Sequence, residues 1–209
     1  MKKTGGSALI ALGLLLMAAA LLLVGYNLYD ASRAQKTAAA AAARLQQAIP
    51  AATPAPPDRP AGETEVPDYL LNPEMEMPVQ TVDGVDYIGV LSIPALELEL
   101  PVVSAWSDDG LKLAPCRYSG TAYLDNLVIA GHNYASHFGR LAGLTQGDEV
   151  RFTDGDGNLF LYTVAARDTL PGTAVEEMEA GEWDLTLFTC TMDGQSRVTI
   201  RCERVEPAR

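Results

Sequence analysis

From Ala8 to Val24 every residue is apolar or glycine, and Tyr26 and Tyr29 follow as interfacial aromatics. A helix from Ser7 to Tyr26, rising about 1.5 Å per residue, spans roughly 30 Å, which is one hydrocarbon core. A cleavable signal peptide is the rival reading, since Met17-Ala18-Ala19-Ala20 offers small residues. Four apolar residues follow that point, however, and signal cores run to only about 7–15 residues. Residues 1–29 therefore read as a short tail and an uncleaved transmembrane anchor. Lys2 and Lys3 precede the span, while Arg33, Lys36 and Arg44 follow closely. The positive-inside count is nearly tied, so charge alone leaves the orientation open.

Residues 30–81 read as a connection. Asp30 to Ile49 is alanine-rich with scattered Arg, Lys and Gln, a strong helix former without a heptad of large apolar residues. That composition predicts a membrane-proximal helical stalk. From Pro50 to Pro78 proline recurs every few residues, which predicts an extended spacer that holds the following domain off the bilayer.

The folded domain is expected over residues 82–209. Tyr87 to Ile93 has strand composition, and Leu96-Glu97-Leu98-Glu99-Leu100 alternates with the period of a half-buried strand. Asp108 to Ala114 suits a short helical turn. Asn126 to Ala130, Glu149 to Thr153, Leu159 to Ala166, Thr186 to Cys190 and Arg197 to Val205 continue the strand series. Short strands separated by turn signals indicate an all-β barrel or sandwich. Asp154-Gly155-Asp156-Gly157-Asn158 reads as a hairpin turn. As a calcium loop it places Leu159 where glycine is needed and Ala165 where a bidentate Glu is needed.

The formal charge of −12 argues against a nucleic-acid partner. Gly84 to Arg209 carries 19 acidic and 9 basic residues, a balance that suits solubility. Cys116, Cys190 and Cys202 cannot all pair internally and contain no Cys-x-x-Cys spacing, so neither zinc nor a disulfide framework is indicated. Cys190 closes a strand, and Arg197 opens the next across a short turn. A thiolate is a strong nucleophile, and a permanently protonated guanidinium can stabilise the anion formed when it attacks a carbonyl. His132 ends another strand just after Gly131 and is suited to shuttle a proton to a leaving amine. Its bland alternative is a loop histidine without a role, and Cys190 could be a small buried hydrophobe. Cys116 and Cys202 fit that second reading better. His137, in the Ser136-His137-Phe138 turn, reads as a packing or hydrogen-bonding residue. Arg201, four residues beyond Arg197 on the same strand face, is the alternative partner for the thiolate.

These residues carry a resemblance. Thr186-Leu187-Phe188-Thr189-Cys190 with Arg197 resembles the Thr-Leu-x-Thr-Cys…Arg signature of the sortases. Asn126 to Asn133 resembles that family's strand ending in the catalytic histidine, and Ile88 to Pro94 resembles the segment that opens its domain. The resemblance implies a closed eight-stranded β-barrel with short helices and a cysteine transpeptidase of Gram-positive-type cell surfaces. It implies that Cys190 attacks the bond after threonine in a Leu-Pro-x-Thr-Gly-like signal, giving a thioacyl-enzyme. His132 is then the proton shuttle, and Arg197 holds the oxyanion with help from Thr189. The implied partners are surface proteins bearing a C-terminal sorting signal and an amine from a peptidoglycan precursor or a pilin. No metal or other cofactor is implied. The implied topology places the amino terminus in the cytoplasm and the catalytic domain outside. Asp168 to Trp183, with the acidic run Glu176-Glu177-Met178-Glu179 as a short helix, is then expected to form the substrate groove; a solvated surface helix is the alternative. Two other functions fit parts of the sequence: a thiol hydrolase that releases product to water, and a non-catalytic surface-binding β-domain.

Overall fold

The computed structural model describes residues 4–50, 66–180 and 183–205. The Lys2–Lys3 tail and much of the proline-rich stretch, residues 51–65, lie outside the described residues. The described residues begin with one uninterrupted helix, α1 (Thr4–Ala48), and the short helix α2 (Asp68–Leu71) comes next among them. Nine strands then follow: β1 (Gln80–Val82), β2 (Val85–Ile93), β3 (Leu98–Val103), β4 (Cys116–Ser119), β5 (Leu127–Ala130), β6 (Glu149–Asp154), β7 (Leu159–Pro171), β8 (Leu185–Cys190) and β9 (Ser196–Arg204). Among the described residues two short α-helices interrupt them, α3 (Asp108–Leu113) between β3 and β4 and α4 (Val175–Glu179) between β7 and β8, along with the 3-10 turns Pro94–Leu96 and Leu141–Gly143.

The strand order is β1-β2-β3-β4-β5-β8-β9-β7-β6, and β6 pairs back onto β2. Eight strands thus close into a barrel, with β1 added as a hairpin arm on β2. Closure leaves no open edge on those eight strands, which is how an all-β domain avoids pairing with other chains. Most neighbours are antiparallel; β3–β4 and β5–β8 run parallel. Inward residues interdigitate as a continuous apolar core, including Leu91, Ile93, Leu127, Ile129, Phe138, Phe152, Phe160, Leu187 and Ile200. The β6–β7 connection is the expected hairpin turn. Asp154 is fully buried in it, accepting the backbone N–H groups of Asp156 and Asn158 and the hydroxyl of Tyr123 at 2.7 Å.

Two parts of the chain pack differently from the sequence expectation. The stalk is helical, but it does not stand free. Ala34, Ala38, Ala41, Ala42, Leu45 and Ile49 are buried, and their spacing of three, four and seven residues lines one face of α1. Leu45 and Ile49 share a cluster with Tyr87, Val90, Val103, Ala114 and Cys116, so the helix lies along the outside of the barrel. Arg44 adds an ion pair to Asp83. The spacer expected to hold the domain off the bilayer therefore follows a helix that is already docked. Residues 66–81 likewise belong to the domain. Tyr69 stacks on Tyr123 with ring centroids 4.8 Å apart, and Met77 is buried, so packing begins before Val82.

The first part of α1 is the opposite case. Leu9 to Tyr29 presents large apolar side chains to the outside, and the segment is long and apolar enough to cross a membrane. Docking of the second part has an energetic consequence. Leu45 is fully buried, and its replacement by Ala is expected to cost about 2–4 kcal/mol in denaturant unfolding of the detergent-solubilised protein. A free-standing helix would instead show a change below roughly 0.5 kcal/mol.

Candidate active site

The strand ends converge on the outer face of the barrel. Leu185 and Leu187 point into the core, so the intervening residues of β8 face outward. Phe188 and Cys190 therefore share the outer face, and Cys190 is exposed at its end. β9 pairs antiparallel with β8, placing Arg197 opposite Cys190, Thr199 opposite Phe188 and Arg201 opposite Thr186. β5 pairs parallel with β8, with Ala130 opposite Phe188, and Gly131 N–H donates to Phe188 O at 3.0 Å. Two residues further along both chains, that register brings His132 alongside Cys190. His132, Cys190 and Arg197 all line one cleft of about 530 Å³. A hollow of similar size, about 570 Å³, lies between α1 and β3, but neither cysteine nor histidine lines it.

Local packing sets each of these groups. Phe138 is fully buried against Gly131, where an added Cβ would come within 2.6 Å of the ring. Only glycine lets the histidine loop fold back that tightly, and Phe138 N–H then donates to His132 O at 3.1 Å. Tyr134 lies beside His132, with ring centroids 5.0 Å apart. The His132 imidazole is held below its ordinary pKa, first by burial and then by Lys112, while Asp30 and Asp108 oppose the shift. Asn133 donates to the sulfur of Met192 at 3.2 Å, joining the histidine loop to the β8–β9 turn.

Thr189 is buried, and its hydroxyl donates to Gly131 O at 2.8 Å. It ties the cysteine strand to the histidine strand, so its hydroxyl is engaged away from the thiol. Arg197 donates from Nη1 to Gly194 O and Ser196 O, both at 3.1 Å, within its own hairpin. Gly172 lies against it, and a Cβ there would sit 3.3 Å from Arg197 Nη1. Arg201 is enclosed under α4. It donates to Met178 O at 2.9 Å, to Thr186 Oγ1 at 3.0 Å and to Glu177 O, and its Nε lies 3.8 Å from Asp168. Those carbonyls are the unpaired end groups of α4, so Arg201 caps the helix that walls the cleft.

His137 is fully buried against Tyr134 and pushed down to about 4 by burial, with the nearby His132 adding to the shift. Cys116 and Cys202 are buried free thiols, pushed up by burial to about 11 and about 12. They lack the thiolate character of a nucleophile at neutral pH. The aromatic floor was not singled out by sequence. Trp106 meets Tyr118 edge-on at 6.5 Å, and Tyr118 meets Phe188 at 5.3 Å, with all three lining the cleft. Phe188 lies within the cysteine motif, where the period-two pattern already assigns it to the face of Cys190. Asp168 to Pro171 extends β7, and α4 is the expected short helix, so the segment before β8 forms one wall of the cleft.

Residues 91–205 match the family model described as Sortase domain, more than half of the chain. The protein is a sortase-family member. Sortase A of Bacillus anthracis is 26% identical over 115 residues, 53% of this chain and 55% of that protein. The chain thus aligns with only about half the length of that relative. The barrel is shared with solved structures at lower identity. Sortase C1 of Streptococcus agalactiae has a TM-score of 0.53 at 22% identity, covering 61% of this chain and 72% of that one. Clostridium perfringens sortase C, solved with the C-terminal cell wall sorting motif, has a TM-score of 0.52 at 23% identity, covering 66% and 82%. The Clostridium perfringens sortase D5 transpeptidase has a TM-score of 0.51 at 20% identity, covering 61% and 83%.

The two arginines are separable by experiment. Arg201→Ala leaves two α4 carbonyls and the Thr186 hydroxyl without their donor, and is expected to destabilise the fold by about 2–3 kcal/mol in chemical denaturation. An unfolding midpoint equal to that of the unsubstituted protein would contradict the capping role.

Proposed function

We propose that this protein is a membrane-anchored cysteine transpeptidase that cleaves a sorting signal and transfers the attached protein to an amine. The observation that carries the reading is the meeting of Cys190, His132 and Arg197 at one cleft of a sortase barrel. The apolar part of α1 serves as the anchor, with the amino terminus inside and the barrel outside. The Clostridium perfringens relative was solved with the C-terminal cell wall sorting motif, which supports a sorting signal as the donor substrate; the Leu-Pro-x-Thr-Gly form is the one implied by the resemblance of the Thr186–Cys190 motif.

In the first half-reaction the Cys190 thiolate attacks the threonine carbonyl carbon and forms a C–S bond. The developing oxyanion is met by the Arg197 guanidinium, whose described hydrogen bonds leave from Nη1 alone. The threonine–glycine C–N bond then breaks, and His132 as imidazolium gives its proton to the departing amine. In the second half, an amine from a peptidoglycan precursor or a pilin lysine attacks the thioester carbonyl. Neutral His132 takes the amine proton, a new C–N bond forms, the C–S bond breaks, and the thiolate returns. Thr189 acts by holding the two strand ends together, with its hydroxyl on Gly131 O. The wall from Asp168 through α4, with the aromatic floor, selects the signal.

The full-length protein in detergent micelles, given a Leu-Pro-x-Thr-Gly peptide without an acceptor amine, is expected to gain the mass of the acyl fragment on Cys190. Cys190→Ala should show no adduct. His132→Ala and Arg197→Ala should each slow adduct formation by about 100-fold or more, the usual scale for losing a general acid or an oxyanion donor. Retention of full activity by Cys190→Ala would overturn the assignment.

A further inference from the structure

Helix α1 changes character at one point. Up to Tyr29 its large apolar residues face outward, and from Ala34 one face of small residues, Ala34, Ala38, Ala41 and Ala42, is buried. Asp30 sits at that junction, and its Oδ2 accepts a 2.7 Å hydrogen bond from the Tyr134 hydroxyl. Tyr134 lies two residues beyond His132 and flanks its ring at 5.0 Å, inclined by 39°. The other face of this small cluster is closed by buried His137, whose ring is 5.5 Å from that of Tyr134. A residue of the anchor helix thus reaches the proposed proton shuttle through one side chain.

From this geometry we infer that Tyr134 and Asp30 are positioning residues for His132, making the turn of α1 that directly follows the membrane anchor part of the catalytic apparatus. The inference rests on the transpeptidase reading given above. Its physical basis has two parts. A tyrosine whose hydroxyl is fixed at the far end cannot swing about χ1, so its ring limits the rotation of the imidazole beside it. The Tyr134 phenol is pushed up to about 12, by burial first and then by the bond to Asp30, so it remains a proton donor throughout the neutral range.

The second part is charge. The charged groups that act on His132 are Asp30 from α1 and Asp108 and Lys112 from α3; His132 in turn acts on His137 of its own loop, and Cys190 from β8 and Arg197 from β9 share the cleft with it. Asp30 favours the imidazolium, the form that gives a proton to the leaving amine, against a burial that favours the neutral ring. Asp30 is thus placed to supply both orientation, through Tyr134, and charge. The exposed tyrosines Tyr26 and Tyr29 lie within the preceding helical turn. Such residues concentrate at the membrane–water boundary. Because α1 is continuous through Asp30, the Asp30–Tyr134 bond holds the rim of the cleft close to that boundary. A donor protein whose sorting signal adjoins its own membrane segment would meet the cleft there.

Two substitutions separate orientation from charge. Tyr134→Phe keeps the ring and removes the hydrogen bond; Asp30→Asn keeps an acceptor for Tyr134 and removes the charge. Full-length proteins in detergent micelles are assayed with a sorting-signal peptide and an amine across the pH range around neutrality, and thermal unfolding is recorded in parallel. Tyr134→Phe is expected to lower kcat by about tenfold with KM little changed, the scale of one hydrogen bond. For Asp30→Asn the sign follows from the lost anion. The imidazolium is less favoured, so the limb of the profile that reports its deprotonation moves to lower pH. Profiles of both variants that superimpose on the unsubstituted protein would overturn the inference. Equal loss at every pH, in step with a lowered melting temperature, would overturn it too by reducing the contact to packing. Absence of turnover by the unsubstituted protein would overturn this inference and the transpeptidase reading together. Turnover with unmoved variants would overturn this inference alone.

Discussion

β5 and β8 run in the same direction, and their parallel pairing determines where the proposed chemistry would lie. Parallel neighbours end on the same side of a sheet, so the residues that follow them emerge together. Here those residues are His132 and Cys190, and the pairing is fastened at its end by Gly131 N–H on Phe188 O and by the Thr189 hydroxyl on Gly131 O. An antiparallel arrangement would put the two groups at opposite rims. The closed barrel supplies the rigidity this needs. It has no free edge along which either strand could slip, and the strands bury Leu127 and Ile129 of β5 and Leu185 and Leu187 of β8 in its core. Arg197 then arrives by the simplest route available, as the partner of Cys190 across a tight hairpin.

The two arginines of β9 show how position along one strand face divides labour. Arg197 is at the mouth, held by carbonyls of its own turn, and borders the cleft. Arg201 is one helical wall further in, where taking a guanidinium out of water is costly unless its donors are satisfied. The C-terminal carbonyls of α4 and the Thr186 hydroxyl take its two Nη groups, while Nε makes no hydrogen bond among the described residues and faces the Asp168 carboxylate at 3.8 Å; α4 is thereby fixed over the cleft. The same desolvation separates the three cysteines. Cys116 and Cys202 are sealed in the packing that joins α1 to the barrel and in the barrel core respectively, and Cys190 alone meets solvent.

Strand composition and turn residues made most of the barrel legible in the sequence, because each strand carries its own period and its own stop. The cysteine, histidine and arginine motifs were equally local. What escaped was long-range. β4 (Cys116–Ser119) is four residues of mixed character whose place depends on single parallel and short antiparallel pairings with neighbours distant in the chain. The docking of α1 was hidden because alanine looks alike on every face of a helix. Ala34, Ala38, Ala41 and Ala42 form a packing stripe only by being small enough for the sheet to approach. Asp30 and Tyr134 lie 104 residues apart and have no motif that links them. Between Arg197 and Arg201 the sequence offered only position, and the fold adds the carbonyls that hold Arg201 elsewhere.

Acyl transfer to an amine, as opposed to release to water, is the central functional claim, and the partition of the acyl-enzyme tests it most directly. Acyl-enzyme formed on Cys190 is exposed to increasing concentrations of a glycine-based amine, and the products are resolved by mass spectrometry. Transpeptidation predicts that breakdown accelerates with amine concentration and that the ligated peptide replaces the hydrolysed one. Breakdown at a constant rate, giving only the free acid at every amine concentration, would contradict the account and identify a thiol hydrolase.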